Sequence, residues 1–177
     1  MNKKFKFFVS FLLSISPVIA FSQDSYSSSI LKKSRTASLI YTKEDSNQCK
    51  LNEELKSSFD NISKLINESG TLKVLSIEET KSTPPDIGIV VSIDATEANE
   101  NFSPGICNFT VRISVVHSTI GLLRYDSEPK LIRIIAFQKF IYGSVPQHLL
   151  NKESMKQLDE AFYIFLNELR KSRLPIS

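Results

Sequence analysis

The chain has 177 residues, with 22 Lys or Arg against 19 Asp or Glu, for a formal net charge of +3. Lys3, Lys4 and Lys6 head an N-terminal segment that reads as removable, and taking those three from 22 leaves 19 cations against 19 acids. A balanced chain with 41% hydrophobic residues excludes charge-driven attachment to nucleic acid or anionic lipid as its main role, and it describes a globular domain with a real core.

The N-terminal segment has the three parts of a secretory signal. The lysine head is followed by Phe7 to Ile19, uncharged throughout, and then by Val18-Ile19-Ala20 at the positions a signal peptidase reads. That apolar run is about 13 residues, too short to span a bilayer of roughly 30 Å as a helix. Residues 1–20 are therefore expected to be a signal peptide, and the product periplasmic or extracellular. The first cysteine is Cys49, far beyond the apolar run, so no lipid-anchoring cysteine follows the signal. The lysine-rich head points to a bacterial envelope protein. No later apolar run reaches membrane-spanning length, and no internal repeat is visible.

Residues 21–36, rich in Ser, Gln, Asp and Lys, read as a flexible N-terminal segment ahead of a single domain over 37–173. Ala37 to Thr42 is β-branched and aromatic enough for a short strand. Residues 52–68 read as a helix, because Leu51, Leu55, Phe59, Ile62, Leu65 and Ile66 recur at helical spacing. Asn52 is its expected cap, and Gly70 its left-handed stop. Leu72 to Ile77 reads as a strand, broken by Thr83-Pro84-Pro85.

Asp86 to Ala95 is the next expected strand, with Ile87, Ile89, Val91, Ile93 and Ala95 on one face. Residues 107–117 alternate most clearly. Cys107, Phe109, Val111, Ile113 and Val115 share one side, and Asn108, Thr110, Arg112 and Ser114 the other, as in an antiparallel sheet with one wet face. Ile120 to Tyr125 either prolongs this strand or forms another. Asp126-Ser127-Glu128-Pro129 reads as a turn. Lys130 to Tyr142 reads as a strand that is apolar on both faces over Ile132 to Phe137, ended by Gly143 and Pro146. A last helix is expected over about 152–171 behind Asn151, with Met155, Leu158, Phe162, Phe165, Leu166 and Leu169 as its stripe. Together these predict an α+β two-layer sandwich: a mostly antiparallel sheet of about four strands with two helices on one face.

Cys49 and Cys107 are the only cysteines, and an exported chain with two thiols is expected to join them. The bridge would close a 58-residue loop, worth about 4 kcal/mol in the chain-entropy model. Cys107 points into the apolar layer and Cys49 precedes the first long helix, so the bond would pin that helix to the sheet.

Candidate chemistry is thin. His117 and His148 are the only histidines. Neither sits in a metal-ligand pattern, and His117 lies ten residues along one strand from Cys107, ~33 Å away. Gly143-Ser144-Val145-Pro146 does not fit a nucleophile elbow. Glu78 and Glu79 are adjacent and, on a strand, would point to opposite faces, so with Asp86, Asp94, Glu97 and Glu100 they read as a solvated acidic region. No phosphate-loop glycine pattern occurs, and no catalytic, metal or cofactor residue is assigned. The sequons at Asn61, Asn67, Asn101 and Asn108 are attributed to an Asn- and Ser-rich composition. Exposed aromatic residues near Phe137, Phe140 and Tyr142 would mark a partner site.

The functional expectation is therefore an exported, non-enzymatic binding protein of the bacterial envelope whose partner is another protein, of the envelope or of a host. A small secreted hydrolase with a non-motif site would need His117 or His148 joined to carboxylates. A carrier of small apolar ligands would need an enclosed apolar cavity between helices and sheet.

Overall fold

Alternation organises the middle of the chain as the sequence predicts. Strand β3 (Ile87–Glu97) buries Ile87, Ile89, Val91, Ile93 and Ala95, and strand β4 (Ile106–Gly121) buries Cys107, Phe109, Val111, Ile113 and Val115. These two rows lie side by side, with Ile89 opposite Val115 and Ile93 opposite Val111 in an antiparallel register. They form the floor of a single core. The computed structural model describes residues 23–98, 104–121, 128 and 130–174. The expected signal peptide, residues 99–103 and 175–177, and most of the stretch expected as a turn at 126–129 lie outside the described residues.

The sheet has five strands in the order β2-β1-β3-β4-β5, and it is mixed. Strand β1 (Thr36–Asp45) runs parallel to β2 (Lys73–Val74) and to β3, while β4 pairs antiparallel with β3 and with β5 (Lys130–Pro146). The expectation of a mostly antiparallel sheet of four strands is corrected here. Antiparallel neighbours need only a turn, whereas parallel neighbours need a crossover that returns the chain to the same end. Residues 46–86 supply that crossover, so the first strand pairs with the third.

Four helices occur among the described residues, not two. Helix α4 (Leu150–Arg173) lies against β4 and β5 through Leu158, Phe162, Phe165 and Leu169. Helix α2 (Glu54–Glu68) packs beside α4 through Leu55, Ile62 and Ile66. Leu65, expected on that stripe, is exposed. Helix α1 (Gln23–Lys33) replaces the flexible lead-in. Its composition is polar, but Ile30 and Leu31 are buried against α4 and β5, and each such side chain stabilises by roughly 1.5–3 kcal/mol. The expected strand at Leu72–Ile77 shrinks to β2, and Ile77 instead opens a short helix α3 (Ile77–Ser82). Ser76 and Glu79 form a reciprocal capping box there, a local signal that outweighs the β-branched run before it.

Neither expected helix cap forms. Asn52 and Asn151 instead bond to each other's neighbourhood: Asn151 Oδ1 accepts from the Asn52 backbone N–H at 2.8 Å, joining the starts of α2 and α4. Gly70 does adopt the left-handed conformation, at φ +64°. Arg173, in the last turn of α4, donates through its guanidinium to the carbonyls of Thr71 and of Ser34, the latter at 2.6 Å. It ties the ends of α4, α1 and the lead into β2 together.

Strand β5 continues through Gly143 instead of ending there. Phe109 on β4 lies directly opposite, and its ring covers the glycine backbone so closely that a Cβ would come within 2.4 Å of two ring carbons. The Phe109 ring is buried, so it must shift within the core to admit a Cβ. Gly143→Ala is therefore expected to cost about 1–3 kcal/mol by overpacking. Gly88→Ala, whose Cβ would meet nothing nearer than 3.6 Å, should stay within about 0.5 kcal/mol. Urea unfolding midpoints of the two variants measure the contrast.

Candidate functional site

The expected bridge is present. Cys49 and Cys107 are bonded with their Cα atoms 5.7 Å apart, and both are buried. The bond joins the segment before α2 to the start of β4, as the residue placement implied. A formed disulfide suggests folding outside the reducing cytoplasm. Among the described residues, no helix is long and apolar enough to cross a membrane. Reducing the bridge, or making Cys49→Ala with Cys107→Ala, should lower unfolding free energy by about 2–4 kcal/mol. Urea titrations with and without reductant read this directly.

The histidines fall at opposite ends of the sheet. His148 sits in a single 3-10 turn after β5, beside the start of β4, while His117 lies near the far end of β4. His117 Nδ1 is 2.8 Å from the backbone carbonyl of Asp86. A carbonyl only accepts, so Nδ1 carries the proton and a neutral ring keeps Nε2 as an acceptor. The Asp86 carboxylate is occupied elsewhere. Its Oδ2 accepts from the backbone N–H groups of Arg35 at 2.7 Å and Thr36 at 2.9 Å, and its own N–H donates to Thr36 Oγ1. Burial pushes this carboxyl upward, but the bonds from Arg35 and Thr36 and the nearby His117 outweigh it, leaving it below its ordinary value. Asp86 thus locks the end of β3 to the start of β1. A hydrolase would need the carboxylate on the imidazole, and here the imidazole contacts the backbone of that residue.

Several open clefts are lined by the described residues. A cleft of about 260 Å³ on the helix side is lined by Ser29, Lys33, Ser34, Asp86 and His117. Ser34 Oγ in it donates to the Ile30 carbonyl at 2.7 Å. A groove of about 610 Å³ runs between α1 and α4 over Ala136 and Phe137 of β5. Its charges, Glu168 and Lys171, pair with each other at 2.8 Å. The third cleft, of about 480 Å³, opens on the opposite face of the sheet. None is the enclosed cavity between layers that a carrier would need.

That opposite face has no helix on it among the described residues. Its centre is polar. Arg112 Nε donates to Ser92 Oγ at 2.9 Å, and Gln138 Nε2 donates to Ser114 Oγ at 3.1 Å, so two buried serines are covered by their neighbours. Its β5 side is apolar: Ile120 (75% exposed), Leu131 (61%), Ile135, Phe140 and Tyr142 (72%) all face outward. The Phe140 and Tyr142 rings stack at 6.0 Å with planes 3° apart. Phe137, grouped with them on sequence, points the other way and packs on Phe165 at 5.5 Å. The cause is plain alternation, because Phe137 pairs with the inward Val115 while Phe140 and Tyr142 pair with Arg112 and Thr110 on the outer side; a bulge at Ala136, where Val115 pairs with Phe137 and Val116 with Ile135, puts Ile135 on the outer face with them.

The acidic residues do not gather. Glu78 and Glu79 open α3, bridged to Lys81 at 3.0 Å and Lys73 at 2.7 Å, so the acidic stretch expected to be solvated is exposed here, but as a capped helix start. Asp94 lies on the open face of β3, and Glu97 accepts from the Gln48 backbone at 2.9 Å. Glu100 lies outside the described residues. No group of three or more His, Cys, Asp or Glu is placed to hold a metal ion among the described residues. Asp86, Gly88 and Arg133 carry the geometry of this end of the sheet, and sequence reasoning gave none of them a role there. Asp86 meets partners fifty residues away, and no local pattern announces such a bond.

No protein-family model matches the chain, and no curated protein does. Among solved structures, the 1.65 Å resolution structure of the hypothetical protein CT253 from Chlamydia trachomatis is similar over 72% of this chain and 95% of its own, at 11% identity and a TM-score of 0.37. A likeness of that size carries neither fold nor function across.

The Lys73 bridge, followed by the Ser76 bonds, holds the Glu79 carboxyl down at about 2 from an ordinary 4.5. Because the folded value lies below the unfolded one, the stabilisation is complete above about pH 4.5 and disappears as pH falls through about 2. Glu79→Gln should therefore flatten the acid limb of a plot of unfolding midpoint against pH, leaving its slope above pH 5 unchanged.

Proposed function

We propose that the chain is an exported, non-enzymatic binding protein of the bacterial envelope and that its partner, another protein, docks on the uncovered face of the sheet. The observation that carries this reading is the outward row of Ile120, Leu131, Ile135, Phe140 and Tyr142 along the β4–β5 ribbon. Large apolar side chains gathered on one exposed face mark interaction surfaces on soluble domains. Aromatic residues supply most of the binding energy where such surfaces are used.

Two further features support the reading. The ribbon is long: β4 pairs with β3 only as far as Val116, and from His117 to Gly121 it continues with β5 alone. This raises Ile120 and Leu131 beyond the helix-covered body. The signal pattern at residues 1–20 and the disulfide agree on export. Protein recognition then has a rigid platform, pinned by the bridge, in an oxidising compartment.

Replacing Tyr142 with a photo-crosslinking amino acid in cells tests the surface. A discrete protein adduct is expected from this position and not from Tyr163, which is equally exposed on the helix side. Phe140→Ser in the same background should abolish the adduct. Equal labelling from both positions, or an adduct that survives Phe140→Ser, would sink the proposed face.

A further inference from the structure

The cleft on the open face is distinct from the aromatic row and has its own chemistry. Its floor is made by Gly88, Val90 and Val116 with Ile40, and Pro84 and Pro85 stand beside it. The strand register explains the hollow. Ser38, Gly88 and Val116 lie in one row across β1, β3 and β4, and the next row carries Ile40 and Val90. With no side chain at Gly88, the middle of the first row is empty. A Cβ there would find only ordinary contacts, with Ser38 Oγ at 3.6 Å and the Val116 carbonyl at 3.9 Å.

The polar groups sit at one end. Ser118 and Arg133 are direct partners on β4 and β5, and both line the cleft. Arg133 is exposed, and no carboxylate pairs with it among the described residues. This separates it from Lys171 of the 610 Å³ groove, which already has Glu168. Arg133 on β5 and Ile40 on β1 are three strand spacings apart and four residues offset along the strands, about 19 Å in all. The volume, about 480 Å³, is in the range of small-molecule sites. A cationic, hydroxyl-bearing end and a long apolar floor are complementary to a carboxylate on an aliphatic tail. Asp86 also lines the cleft, level with Ser118 and two strands from Arg133, while the Ile40 end offers only apolar side chains and so disfavours a second carboxylate on the tail.

We propose that this cleft binds a monomeric aliphatic carboxylate, its head on Arg133 and Ser118 and its tail over Gly88 toward Ile40 beneath Pro84 and Pro85. The site stands whether or not a protein docks at Phe140 and Tyr142, which lie further along the sheet on the other side of the Ser114–Gln138 row.

Equilibrium binding of laurate below its micelle concentration, to the disulfide-bonded chain without its signal segment, tests this. Laurate should bind, dodecanedioate more weakly, and dodecyltrimethylammonium not measurably. Arg133→Gln should weaken laurate and dodecanedioate alike, at least tenfold. Gly88→Leu, filling the floor, should weaken all the ligands alike, with an unfolding midpoint confirming that it folds; should it not fold, Arg133→Gln alone decides. No laurate binding at about 1 mM, which is about 4 kcal/mol of affinity, overturns the proposal. So does laurate affinity unchanged in Arg133→Gln, or sedimentation with anionic phospholipid vesicles without binding of free laurate. None of these readouts depends on the crosslinking of Tyr142, so either proposal can fail alone.

Discussion

Helix α4 meets β4 and β5 through Leu158, Phe162, Phe165 and Leu169, and most other elements take their position from that contact. It seats a stripe of large side chains on the rows that β3 and β4 turn inward. Helix α1 leans on it from one side and α2 from the other. Arg173, at its end, gathers the ends of α1 and of the segment before β2 by hydrogen bonds to their carbonyls. A sheet covered this way has only one dry face.

The rims are held by polar chemistry where the helices stop. At one end, Cys49–Cys107 joins the β1–α2 segment to the start of β4, and Asn151 links the starts of α2 and α4. At the other, the Asp86 carboxylate takes the two backbone N–H groups that open β1, and its carbonyl fixes the His117 ring. These groups look like candidates for chemistry when listed as residue types. In place, they satisfy backbone donors that a mixed sheet leaves open at its ends. The open face, by contrast, keeps side chains whose capacity is not used among the described residues: Arg133 without a carboxylate, and Phe140 and Tyr142 without cover.

Much of the fold was legible because its signals are local. The inward rows of β3 and β4, the α2 and α4 stripes and the disulfide all follow from spacing, parity and compartment. The differences arise where a distant contact outweighs a local pattern. Residues 23–33 are polar enough to read as a tail, and only Ile30 and Leu31 against α4 and β5 make them a helix with a place. Gly143 reads as a stop, and only Phe109 across the ladder carries the strand past it. Ile135 and Phe137, two residues apart, would share a face by alternation, and only the extra residue at Ala136 sends Phe137 inward onto Phe165 and leaves Ile135 outside.

By itself, the sequence determined which side chains seek a core, which thiols pair and where the long helices run, because hydrophobic period and cysteine parity are properties of neighbours along the chain. The tertiary structure alone decided that β1 lies parallel to β3, that among the described residues one sheet face carries no helix and Arg133 no carboxylate partner, and that Gly88 hollows that face. Strand order is settled by how the crossover at 46–86 folds over the apolar layer, an energy shared among many contacts and written in no single segment. A cleft is the space those contacts leave, so residues far apart in sequence line it without any motif to announce them.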